Sequence, residues 1–77
     1  MKTAAIRLSD VKQGSTVKII SLPDGVYRSQ FIRLGIFEGQ MITCLEKLPG
    51  GTLVVRKNRQ EVAIGGDLAK KILVSLN

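Results

Sequence analysis

The chain predicts a small, mainly β barrel of about five short strands with one inserted helix and short helical turns. Apolar runs along it are short, rich in β-branched residues and separated by Gly, Pro and Asp. The hydrophobic period changes from two to about 3.6 only once, between Val26 and Leu34. At 77 residues the chain makes one small domain, 1–77, since domains typically run to about 100–150 residues. Closure into a barrel would remove the strand edges that so small a sheet cannot otherwise cover.

Each element follows from local chemistry. Leu8-Ser9-Asp10-Val11 reads as a single helical turn running to Gly14, which tolerates positive φ. Thr16 to Leu22 is β-branched and alternates, a half-buried strand that Pro23-Asp24-Gly25 stops, with Asp24 a natural helix N-cap. Tyr27, Phe31 and Leu34 then share one helical face at i, i+4 and i+7. Gly35 stands where a left-handed residue ends the helix, so Ile36 would fold back on Phe31. Phe37-Glu38-Gly39-Gln40 reads as a turn with Gly39 at its positive-φ position. Met41 to Lys47 alternates, with Ile42 and Cys44 on the inner face. After the Pro49-Gly50-Gly51 turn, Thr52 to Arg56 and Gln60 to Ile64 form a hairpin around Lys57-Asn58-Arg59, with Asn58 suited to the left-handed position. Asp67 caps a short turn through Lys71, and Ile72, Val74 and Leu76 close the chain with period two.

The residue inventory argues against catalysis. Histidine, the commonest general base, is absent. The six carboxylates (Asp10, Asp24, Glu38, Glu46, Glu61 and Asp67) fall mostly at predicted caps and turns. With a single cysteine, Cys44, the chain forms no intrachain disulfide and builds no Cys/His zinc site of its own. Cys44 reads as a small core hydrophobe, Met1 and Met41 are poor ligand candidates, and no Asp-x-Asp or Glu-x-x-Glu spacing gathers a hard ion. None of the eight glycines fits a phosphate-cradling motif. No apolar run exceeds five residues (Val62 to Gly66), against about 18–20 for a bilayer span. Arg7 interrupts the start where a signal peptide needs apolar residues, which points to a cytoplasmic protein.

Charge is the remaining signal. Twelve Lys+Arg against six Asp+Glu leave a net +6. The cations are spread from Lys2 to Lys71, and only Arg56-Lys57-Asn58-Arg59 clusters. A single-strand binder would add stacking platforms, but the aromatics are only Tyr27, Phe31 and Phe37. The charges read first as a solubilising surface with a charged hairpin tip, next as an electrostatic docking surface for a partner, and nucleic acid is the least favoured.

The order of these elements carries a resemblance. Leu8-Ser9-Asp10-Val11 to Gly14, a strand, a helix ending Arg33-Leu34-Gly35-Ile36, Gly39, Pro49-Gly50-Gly51, Val62-Ala63-Ile64 and Ala69-x-x-Ile72-x-Val74 together resemble the ferrous iron transport protein A (FeoA) family over residues 6–75. Glu38 departs from it, standing where the family often has Pro. The resemblance implies an SH3-like small β-barrel with an inserted helix, in a cytosolic, non-enzymatic accessory protein of ferrous iron uptake. Its implied partner is FeoB, the membrane permease with a G-protein domain. Similar modules form the C-terminal domain of iron-dependent repressors, so the resemblance also implies transition metal ion binding, with divalent iron the one candidate cofactor. No ligand set transfers to positions of this chain, and no helix-turn-helix is present to make it a whole repressor. The expected docking residues are Arg28 and Arg33 on the helix and Arg56, Lys57 and Arg59 at the hairpin tip. A nucleic-acid-binding SH3-like module and a metal-sensing domain stay open as rivals, as does a homo-oligomer.

Overall fold

The computed structural model describes residues 4–76. Met1 and Lys2, weighed above as a ligand and as one of the cations, lie outside the described residues. Strands β1 (Ala5–Arg7), β2 (Thr16–Ser21), β3 (Met41–Lys47), β4 (Leu53–Lys57), β5 (Gln60–Ile64) and β6 (Leu73–Ser75) form one sheet in the order β1-β6-β2-β3-β4-β5, every neighbouring pair antiparallel. A 3-10 turn at Leu8–Asp10, helix α1 (Val26–Arg33) and the single helical turn α2 (Gly66–Ala69) complete the chain.

The expected barrel does not close. No ladder joins β1 to β5 among the described residues, so the sheet is open, with those two strands as its edges. It has six strands, not five, because Ala5–Arg7 pairs with β6 (Ile6 opposite Val74). Strand β1 is three residues long and the 3-10 turn follows it at once, so the chain leaves the sheet edge at Arg7. Side chains cover the core where hydrogen bonds do not. Leu8, Val11, Phe31, Ala69 and Ile72, all outside the strands, are buried with the strand residues in one cluster.

The strands meet their inner partners in register. Val17 lies opposite Ile42, Cys44 opposite Val55, Val55 opposite Val62, and Leu53 opposite Ile64, and all of these side chains are buried. Register breaks between Ile19 and Ser21 and between Cys44 and Glu46 bend β2 and β3. Beyond β6 the expected alternation fails. Ile72 and Val74 are buried, but Leu76 is exposed and Ser75 is inside, because the last ladder pairs end at Ser75 opposite Ala5 and Lys18.

Both predicted carboxylate caps give way to glycine. The N-cap of α1 is Gly25, at φ +77°, and that of α2 is Gly65; neither helix start receives a side-chain hydrogen bond. Asp24 falls one residue too early, and Asp67 lies within the first turn of α2. The end of α1 is as expected. Ile36 N–H donates to the Phe31 carbonyl (2.8 Å) and Gly35 N–H to that of Ile32 (2.9 Å), the two bonds of a Schellman motif. Gly35 holds φ +82°, and Ile36 and Phe31 are both buried.

A candidate docking surface

Helix α1 leaves the sheet between β2 and β3 and gives little of itself to the core. Phe31 is its one buried residue, at 4% exposure. Tyr27 and Leu34, expected beside it, are 43% and 44% exposed. Their directions explain the difference: at about 100° per residue they sit at the border of the Phe31 face, and a helix with one neighbouring layer buries only the centre of its stripe. Val26, Ile32 and Phe37 are exposed as well, Val26 at 70% and Ile32 at 50%. Lys71 Nζ stands 5.4 Å from the centre of the Tyr27 ring, a cation–π contact that ties the start of α1 to the approach to β6.

The five expected docking cations divide by what they already touch. Arg28 makes a two-pronged pair with Glu38, Nη2 to Oε1 and Nη1 to Oε2 both at 2.8 Å. That pair straps α1 to the turn behind it, and the guanidinium holds the Glu38 carboxyl below the usual carboxylate range. Arg56 faces Glu61 across the β4–β5 ladder at 3.6 Å. Lys57 reaches back so that its ammonium lies over Gly35, where a side chain would collide with it. It thus brings a positive charge to the carbonyl end of α1, the favourable sign for a helix C-terminus. Arg33 and Arg59 are exposed and make no hydrogen bond or ion pair among the described residues.

The structure therefore brings the helix end and the hairpin tip together through Gly35 and Lys57. Asn58 turns the hairpin at φ +56°, and Lys57 pairs with Gln60, leaving Asn58 and Arg59 as the two-residue tip. Charge alone did not point to the exposed apolar residues Val26, Ile32 and Phe37. The available signal was Ile32 itself, an apolar residue off the Phe31 face of the helix.

A second concavity of about 440 Å³ opens between β1, the β3–β4 turn and α2. Its ionic groups are largely engaged: Arg7 Nε donates to Asp10 at 3.2 Å and Lys47 Nζ to the Ser9 carbonyl at 3.2 Å. Gly66 lies so close to the backbone of Gly50 and Gly51 that a Cβ there would come within 3.2 Å of Gly51, so α2 seats directly on the turn.

No metal centre is assembled. Among the described residues no three His, Cys, Asp or Glu side chains gather, and Cys44 is buried, with burial pushing its thiol pKa up. The described residues therefore offer no ligand set of their own for the transition metal that the resemblance implies. No helix among the described residues is long and apolar enough to cross a membrane.

Comparison with known proteins decides the family. The model of the FeoA domain matches residues 6–76. The chain belongs to the FeoA domain family. FeoA-family proteins are non-catalytic, and the chain is not an enzyme. A FeoA-like protein from Clostridium acetobutylicum has 29% identity and a TM-score of 0.82, over 99% of this chain and 90% of its own. An iron uptake regulatory protein (FeoA) matches at 24% identity with a TM-score of 0.82, over 94% of this chain and 96% of its own. A manganese-dependent transcriptional repressor contains the same fold at 20% identity and a TM-score of 0.87, over all of this chain but only 44% of its own. No curated protein sequence matches significantly.

Proposed function

We propose that this FeoA-family chain is a cytoplasmic accessory module of ferrous iron uptake, a single domain that docks on the G-protein domain of a FeoB-type transporter and modulates transport by contact. The observation that carries the docking reading is the surface around α1. Its apolar residues Val26, Ile32 and Phe37 remain exposed, as do Arg33 and Arg59, which with Lys57 make no side-chain hydrogen bond or ion pair among the described residues. Apolar side chains supply affinity on desolvation, and cations steer an acidic partner and set its orientation. Arg28 and Arg56 already face Glu38 and Glu61, so their role is to shape the surface. Arg33 and Arg59 meet the partner directly, with Lys57 between them at the helix end.

The test is capture of the soluble G-protein domain by this chain at low and at physiological salt. Retention at low salt that weakens as salt rises is the expected result, and no retention at low salt refutes direct docking. Arg33→Glu with Arg59→Glu should weaken capture far more than Arg56→Glu, whose charge change falls within an existing ion pair.

A further inference from the structure

An open sheet has edges, and the two here are unequal. Edge β1 is three residues long and is ended by the 3-10 turn. Edge β5 runs for five residues, Gln60–Ile64, in unbroken register with β4. It has none of the usual protections, neither a proline nor a bulge, and Glu61 is its one charge. The tip fixes which backbone groups are free. Lys57 and Gln60 close a two-residue turn and are a hydrogen-bonded pair, so Gln60, Val62 and Ile64 direct their N–H and C=O groups at β4. Glu61 and Ala63 direct theirs outward, where no strand lies among the described residues. Both side chains are exposed on the outer face.

We infer that β5 is a self-association edge, pairing antiparallel with β5 of a second copy about a two-fold axis at Val62. This interface adjoins the hairpin tip but does not depend on the docking reading. Centring on Val62 sets Glu61 opposite Ala63 of the other copy, and Ala63 opposite Glu61. The outward-facing residues of both strands then exchange four backbone hydrogen bonds. Charge favours a second copy over the acidic partner of α1. The only charge on the strand is Glu61, which an acidic partner would oppose, whereas in the self-pair each Glu61 faces an alanine and keeps its own Arg56 beside it. The two Glu61 side chains are only diagonal neighbours, about 7–8 Å apart.

The experiment is sedimentation of the full chain from about 10 μM to about 1 mM, with residue-resolved amide exchange at both limits. A monomer–dimer equilibrium is expected, with the Glu61 and Ala63 amides protected only at high concentration. Ala63→Pro removes an outward donor and no bond to β4, and should abolish the dimer. Ala63→Lys and Ala63→Glu keep the backbone and place a charge opposite Glu61 twice per dimer. The first should tighten and the second weaken association, each by about 2- to 30-fold, an opposition of sign that a merely structural role for Ala63 would not produce. A monomer at the highest concentration with both amides unprotected, the same affinity in both charge variants, or protection of these amides only on adding the G-protein domain would each overturn the inference.

Discussion

Strand β3 and helix α1 are of similar length and carry comparable numbers of apolar residues, yet they use them differently. In β3 the inner side chains Ile42 and Cys44 are at 1% exposure or less and lie in register with Val17 and Val55. In α1 a single residue, Phe31, reaches the core, and Val26, Tyr27 and Ile32 face outward. The strand has a sheet neighbour on both sides, whereas the helix rests on the core along one narrow line. The inner apolar residues of β3 therefore make the fold, and those of α1, Phe31 apart, stay exposed.

This contrast can be broken at either element. Ile42→Ala removes a buried branched side chain from the sheet and should cost about 2–5 kcal/mol, a large share of the stability of so small a domain, read as a fall in the urea midpoint. Gly35→Ala comes next. It forces a non-glycine residue to φ +82° at about 1–2 kcal/mol, while the Lys57 ammonium, at the end of a flexible side chain, swings aside. Gly35→Asn should lose less, because asparagine tolerates that region better. Ile32→Ser should change stability by no more than about 0.5 kcal/mol, since the side chain is half exposed, but it should weaken capture of the G-protein domain.

The strap from α1 to its following turn has a pH signature. Because Arg28 holds the Glu38 carboxyl below its ordinary range, the unfolded chain takes up this proton first on acidification. The stabilisation is then complete above the usual carboxylate range and is lost as pH falls through the lowered folded value. The stability difference between the wild type and Glu38→Gln should be present at neutral pH and vanish in acid. An unchanged difference in acid would show that the pair contributes by packing alone.

What was legible in the sequence follows the same division. Alternation located β2 and β3 and the inward side of Ile42 and Cys44, because a strand between two neighbours buries every second residue, and two β-rich runs around Asn58 located the β4–β5 hairpin. The Schellman end at Gly35 was legible for an equally local reason, the need for positive φ. Strand β1 was not, since Ala5-Ile6-Arg7 has no pattern of its own and is a strand only because β6 lies beside it. Whether two distant edges meet is likewise set by the whole chain and not by any local pattern, and so the barrel was expected where the sheet is open. Asp24 and Asp67 are good caps by type, but the backbone enters both helices one or two residues away from them. The candidate docking cations were chosen by charge, and their division into paired and free was not legible. Arg28 and Glu38 are ten residues apart and meet only because the chain reverses at Gly35.

Docking through the exposed α1 residues requires that they serve a partner and not the fold. The most direct measurement is affinity for the soluble G-protein domain together with thermal stability, for the wild type and for Ile32→Ser/Arg33→Glu/Arg59→Glu. The account predicts an unchanged melting temperature and at least about tenfold weaker binding, the equivalent of about 1.4 kcal/mol. Undiminished binding by a variant that melts with the wild type would contradict it.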